Sequence, residues 1–122
     1  MRKVKKSIYQ LMDNKLKSLE SFEKALAIDP NDTSAWYNKG LTLHRLERYQ
    51  GALESYEKAL AIDQNYTEAW YGKACIEFLQ KNKDKALEYL RKAIGLDDKY
   101  KEKAKTYSDF NNIGDSQEFS QR

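Results

Sequence analysis

Shifted by 34 residues, the chain overlays itself, and this periodicity constrains its fold more than any other feature. The shift brings Ala35-Trp36-Tyr37 onto Ala69-Trp70-Tyr71, Ala52-Leu53-Glu54 onto Ala86-Leu87-Glu88, Lys58-Ala59 onto Lys92-Ala93 and Asp63 onto Asp97. It also carries residues 19–29 onto 53–63, identical at every position except Phe22, which meets Tyr56. Within a unit the apolar and small residues recur at helical spacing, first as Trp36, Gly40 and Leu43, then as Ala52, Leu53, Tyr56, Ala59 and Leu60. Two amphipathic helices per unit follow, separated by the polar stretch at Glu47-Arg48. Asp29-Pro30-Asn31-Asp32 closes one unit, because proline cannot continue a helix, and Thr33 or Ser34 is expected to cap the next. The small residues Gly40, Ala52 and Ala59, with Ala74, Ala86 and Ala93 one unit later, let paired helices approach closely, while Trp36, Tyr56 and Trp70 fill the space between them. One such hairpin cannot bury its apolar face alone, so the units must stack.

Composition agrees with an all-helical protein: 34% of the 122 residues are charged and only one is proline. The length suits one domain. No apolar run approaches the roughly 20 residues that cross a bilayer, and the basic start, 1–6, is not followed by the apolar stretch of a signal peptide. Cys75 is the single cysteine, so neither an internal disulfide nor a multi-cysteine zinc site can form. These features predict a cytoplasmic protein with no membrane segment. The 22 basic and 19 acidic residues are interleaved, as on a solvated helix surface. Nucleic-acid binding therefore rests only on Arg2, Lys3, Lys5 and Lys6 and on the basic stretch after Lys99, and ranks last among the partner classes.

The 34-residue period, with Trp, Gly, Ala, an aromatic residue, Ala and Pro in that order, resembles the tetratricopeptide repeat family. The match is best over 33–64, good over 67–98, and covers only the second helix of an earlier unit, about 15–30. The resemblance implies an α-solenoid, a right-handed superhelix of antiparallel helix hairpins with a C-terminal capping helix. It divides the chain into a partial, degenerate repeat over 1–32, full repeats over 33–66 and 67–98, and a capping helix and tail over 99–122. Lys39 and Lys73 stand where the family has leucine, and Glu77 replaces the apolar residue occupied by Leu43. The first helix of the last unit is accordingly expected to pack loosely or to re-face.

Both ends depart from the pattern. Residues 1–12 lack the Trp and the Gly of a first helix, although Val4, Ile8, Leu11 and Met12 keep an apolar stripe. A degenerate capping helix is the simplest expectation. The alternative is one long helix from about Lys3 to Ile28, since Asp13-Asn14 is the only weak break, with a second copy covering the exposed groove. At the other end, 100–107 reads as a closing helix with Lys99, Lys101, Lys103 and Lys105 on its outer side. Phe110, Ile113 and the Asp115-Ser116-Gln117-Glu118-Phe119 run resemble the tail with which arrays of this family often finish.

Nothing in the chain points to chemistry. His44 is the only histidine and has no second ligand or base nearby in sequence, and Cys75 lies among apolar neighbours. Gly-rich phosphate loops, GxSxG, HExxH and calcium-loop motifs are missing. No catalytic residue, metal or cofactor is expected. Glu20/Lys24, Glu54/Lys58 and Glu88/Lys92 read as exposed four-residue ion pairs. The family resemblance instead implies a peptide or helix of a partner protein lying along the inner wall formed by the first helix of each pair. Helical geometry puts Tyr37, Asn38, Leu41, His44 and Arg45 on the face opposite Trp36, Gly40 and Leu43. The equivalent contact positions one unit later are Tyr71, Cys75 and Phe78, with Gly72 and Leu79 beside them. One subfamily clamps the acidic C-terminal tails of heat-shock chaperones with Lys, Asn and Arg side chains. Asn38 matches the clamp asparagine, but Ser7 replaces another, and Glu68 and Gly72 stand where Lys and Arg are needed, so that activity is not expected. A protein-binding scaffold is the leading function, and a homo-oligomeric repeat module is the alternative.

Overall fold

The computed structural model describes residues 2–106, with side chains over 7–103. These residues form six helices and no strand: α1 (Arg2–Ile28), α2 (Thr33–Arg45), α3 (Tyr49–Ile62), α4 (Thr67–Leu79), α5 (Lys83–Leu96) and α6 (Lys99–Thr106). They divide into two compact units between Asp63 and Gln64, α1 to α3 in the first and α4 to α6 in the second.

In the first unit α2 and α3 form the expected antiparallel hairpin, and α1 packs on α2. The hairpin closes on Gly40. A Cβ there would lie 2.6 Å from Cδ1 of Tyr56 and 3.2 Å from the Ala52 carbonyl oxygen, so only glycine lets the two helices come this close. Tyr56 is 0% exposed, and Ala52 and Ala59 on the same face of α3 are equally buried. In the second unit, Ala74 and Cys75 of α4 meet Ala86, Leu87, Leu90, Ala93 and Ile94 of α5, and Tyr100 of α6 completes the core. Residues 107–122, including Tyr107 and the Phe110-to-Phe119 tail, lie outside the described residues.

Turns repeat as faithfully as helices. At the end of α2 the Arg48 N–H donates to the Leu43 carbonyl (2.8 Å) and the Glu47 N–H to that of His44 (3.0 Å). At the end of α4, Asn82 donates to Glu77 (2.8 Å) and Lys81 to Phe78 (3.0 Å). These are Schellman caps, and both need a left-handed residue. Glu47 (φ 60°) and Lys81 (φ 65°) supply it without being glycine. The indole latch is duplicated too: Trp36 Nε1 donates to the Pro30 carbonyl (2.8 Å) and Trp70 Nε1 to that of Gln64 (2.9 Å).

Three expectations need correction. The N-cap of α2 is Asp32, whose carboxylate accepts from the Ala35 N–H at 3.1 Å, and Thr33 is already helical. Asp outranks Thr as a cap, and the turn after Pro30 leaves it one residue earlier. Residues 2–28 form one helix, as the alternative expectation for this end had it, without the break that a degenerate hairpin would require. No glycine or proline precedes Pro30. Where the turn would fall, Gln10 donates to Asn14 (3.1 Å), Lys17 pairs with Asp13 (3.2 Å) and the Ser18 hydroxyl donates to the Asn14 carbonyl (3.0 Å), all four-residue contacts within a helix. Nor is α4 loose, since every residue from 72 to 77 is buried, Lys73 and Glu77 included, at 7% and 5% exposure. The Lys73 ammonium sits 4.2 Å from the Tyr89 ring centroid and 5.2 Å from that of Trp70, so the charge rests on aromatic faces while its stem packs.

Gly40→Ala is expected to destabilise the fold by about 1–3 kcal/mol, the range for forcing a methyl group into a filled core. Gly95→Ala, where a Cβ meets nothing within 4 Å, is expected to stabilise by about 0.5–1 kcal/mol through helix propensity. Urea melts of both variants check the contrast. In the same assay Glu47→Gly gains stability, because relief of left-handed strain of about 1–2 kcal/mol outweighs glycine's extra unfolded-state entropy of about 0.5–1 kcal/mol.

Candidate protein-binding surface

Asp32 and the Trp36 latch fix where α2 starts, and therefore which residues face its partners. Ala35, Gly40, Thr42 and Leu43 are buried. Tyr37, Asn38, Leu41 and His44 are half-buried, and Arg45 is exposed. These five were expected to share one open face, and the structure separates them into two groups.

Tyr37 and His44 flank Gly40 and belong to the hairpin. The Tyr37 ring leans on that of Tyr56 with centroids 5.7 Å apart and planes tilted by 30°. His44 Nδ1 lies 3.4 Å from the Tyr56 hydroxyl, and its ring meets Tyr49 edge-on at 6.0 Å. At 100° per residue Tyr37 stands only about 60° around the helix from Gly40. That proximity turns its ring against α3. Asn38, Leu41 and Arg45, at steps of three and four, make a second stripe further round. The Asn38 carbonyl accepts from the Thr42 hydroxyl (2.9 Å), which occupies that donor without using the Asn38 amide.

On α4 the equivalent residues are more deeply built in. Cys75 is 3% exposed and belongs to the core of the second unit, so it presents no contact surface. Its position mirrors Leu41, but the small side chain is enclosed by the neighbouring bulk. Tyr71 meets Tyr100 of α6 with centroids 5.0 Å apart, and the Lys103 ammonium lies 5.7 Å from the Tyr71 ring and 5.2 Å from that of Tyr100. The closing helix thus occupies part of the face that Tyr71 was expected to offer. Phe78 packs against the same core and, with the exposed Leu79, Lys81 and Lys83, lines a shallow depression of about 420 Å³. Lys81 and Lys83 were not singled out from the sequence. They look like loop decoration until the left-handed turn brings them beside Phe78.

Among the described residues no group of three His, Cys, Asp or Glu side chains is placed to hold a metal, and no helix is long and apolar enough to cross a membrane. Of the anticipated ion pairs, Glu20–Lys24 is present at 3.2 Å, with both side chains exposed. Lys92 instead lies over the Trp70 ring at 5.6 Å.

Tetratricopeptide repeat models match residues 33–66 and 67–100, and a second such model matches 7–32. The chain belongs to the tetratricopeptide repeat family. Its two full tetratricopeptide repeats are α2–α3 and α4–α5, with the capping α6 opening at the end of the second match. No curated protein matches the chain significantly. Solved structures are similar in fold. MamA aligns at 24% identity with a TM-score of 0.68, over 76% of this chain and 54% of MamA. YrrB, described as a TPR protein with an unusual peptide-binding site, aligns at 24% identity and a TM-score of 0.66, over 75% of this chain and 47% of YrrB. The first TPR of Spaghetti (RPAP3), bound to the HSP90 peptide SRMEEVD, aligns at 17% identity and a TM-score of 0.70, over 96% and 86% of the two chains. The chain spans about half the length of MamA and of YrrB.

Proposed function

We propose that this chain is a non-enzymatic scaffold of the cytoplasm that holds an extended peptide or a helix of another protein against the first helices of its repeats. The supporting observation is the stripe Asn38, Leu41 and Arg45 on α2. It combines an amide, an aliphatic side chain and an exposed cation at helical spacing, on the side of α2 turned away from Gly40. Tyr37 and His44 form its margin, held in place by Tyr56, and rigid aromatic residues with a polar tip suit such a role. In the second unit, Tyr71 and Phe78 remain the contact candidates. Peptide-bound relatives such as the SRMEEVD complex support the ligand class. The cation at Arg45 favours a ligand with a carboxylate or acidic side chain there.

The chaperone-tail peptide is not that ligand. Glu68 is exposed on the first turn of α4 and Gly72 is buried, so neither offers a cation to a terminal carboxylate. Fluorescence polarisation with labelled SRMEEVD is expected to show no submicromolar binding. Selection from a displayed peptide library against the wild-type chain is expected to yield binders, and Asn38→Ala/Arg45→Glu is expected to weaken them by about tenfold or more, the equivalent of one lost charged contact. Binders that retain full affinity for that variant would move the site off α2.

A further inference from the structure

The first tetratricopeptide match, 7–32, contains only one helix's worth of repeat, and the structure shows what is missing. A shift of 34 puts Ser18, Ser21, Phe22 and Ala25 of α1 at the positions of Ala52, Ser55, Tyr56 and Ala59 in α3. On α3 all four are buried beneath α2. On α1 Ser18 and Ser21 are exposed, and Phe22 and Ala25 are only half-buried. The face that a first helix covers in the next repeat is therefore open here. The residues in sequence position to cover it, 2–14, run straight on as helix, and Ile8 and Leu11 are 51% and 58% exposed.

A closed hairpin would seat them badly. It would bring Lys6 to the position of Gly40, opposite Phe22 at the position of Tyr56, where even a methyl group has no room. A separate chain is not tied to that register. Along α1, Val4, Ile8, Leu11, Lys15, Ser18, Phe22 and Ala25 follow one another at alternating steps of four and three, the spacing of a two-helix seam. Set antiparallel to itself, this seam matches Ile8 with Phe22 and Leu11 with Ser18 and brings the two Lys15 residues together at the two-fold axis, where their long stems can flank the seam with the ammonium groups outward. Compared with the hairpin, it slides by about two residues and replaces Lys6 with Ile8. Charge selects the same direction. The first turns of α1 carry Arg2, Lys3, Lys5 and Lys6 with no acid, while its last third carries Glu20 and Glu23 against one cation, Lys24, which pairs with Glu20, and so is net acidic by one charge. Antiparallel pairing puts these ends side by side, whereas parallel pairing stacks cation on cation.

We propose that α1 is a self-association surface whose occupant is the α1 of a second copy, each chain's Ile8 and Leu11 covering the other's Phe22 and Ser18 and so completing both first repeats. The resulting pair is two-fold symmetric. The test is the solution mass of the full chain by light scattering at about 50 μM, within the micromolar regime of weak specific association. A mass of twice 14.3 kDa is expected, falling to one chain in Ile8→Glu/Leu11→Glu. Both substituted residues are exposed in the single chain, so the variant's helicity by circular dichroism should be unchanged. Orientation is read by oxidising a mixture of Leu11→Cys and Ser18→Cys chains, each also carrying Cys75→Ser. The mixed disulfide is expected to exceed the Leu11→Cys homodimer. A monomeric wild type, a dimer that survives the double glutamate variant, or a dominant Leu11→Cys homodimer would each overturn the proposal. Because the α2 stripe is untouched by these substitutions, peptide selection on the same variants reports separately on the scaffold function.

Discussion

The approach of α2 to α3 at Gly40 is the contact on which the first unit depends. With no Cβ in the way, the Tyr56 ring lies directly on the α2 backbone, and its complete burial makes it a fixed wall for what surrounds it. Tyr37 leans on that wall and His44 meets its hydroxyl, so the margin of the candidate binding face is positioned by a core contact rather than by the ligand. The second unit reaches a similar end by another route. Leu90 stands where Tyr56 does in the first, and the buried ring comes instead from Tyr100 on α6, against Tyr71. Tyr56 and Tyr100 are the largest fully buried side chains among the described residues, one per unit, and each touches the tyrosine that follows the tryptophan. The repeat conserves a physical role, an aromatic floor beneath that tyrosine, without keeping it at one repeat position.

Charges within the repeat follow from the same economy of space. Lys39 and Lys73 occupy positions three residues after a tryptophan, one turn along the helix, and their ammonium groups lie 5.3 and 5.2 Å from the Trp36 and Trp70 ring centroids. A lysine stem is nearly as long as a leucine is bulky, and its cation loses less on leaving water when an aromatic face is at hand. The substitution looks disruptive as a hydropathy value and mild as a geometry.

Repetition made most of the fold legible. Any feature specified by residues within one 34-residue unit could be checked against its copy, including the two hairpins, the small residues between the helices and the turn at Glu47-Arg48. What escaped depends on geometry that a linear pattern does not carry. Asp32 rather than Thr33 caps α2 because the turn after Pro30 ends one residue sooner. Tyr37 and His44 turn toward α3 because they stand within a fraction of a turn of Gly40, and hydropathy cannot tell an outward tyrosine from one resting on a neighbour. Cys75 is enclosed by the core it shares with α5 and Tyr71 is met by Tyr100 and Lys103 of α6, and eight residues rich in lysine gave little sign that Tyr100 would be so deeply buried.

The contrast between α1 and the two hairpins shows how local and tertiary preferences compete. Each observed turn holds an ordinary residue, Glu47 or Lys81, in the left-handed region, a conformation costing about 1–2 kcal/mol relative to helix. Neither turn would be stable in an isolated segment. Each is held because the helices on both sides close over a tight interface, with Ala52, Tyr56 and Ala59 in one case and Ala86, Leu90 and Ala93 in the other completely buried. Asp13 stands at the position of Glu47 in the first repeat and is no poorer a turn former, since Asp tolerates the left-handed region better than Glu or Lys does. What the first repeat lacks is the interface: Lys6 replaces the glycine and Arg2 the tryptophan. Without that burial nothing offsets the strain, and uninterrupted helix, with its four-residue contacts across Gln10, Asp13, Asn14, Lys17 and Ser18, is the lower state. The turns of α2–α3 and α4–α5 thus go with the packing between their helices, and the residues that would make that packing, among them the tryptophan, the glycine and the alanine at the position of Ser18, are replaced in α1.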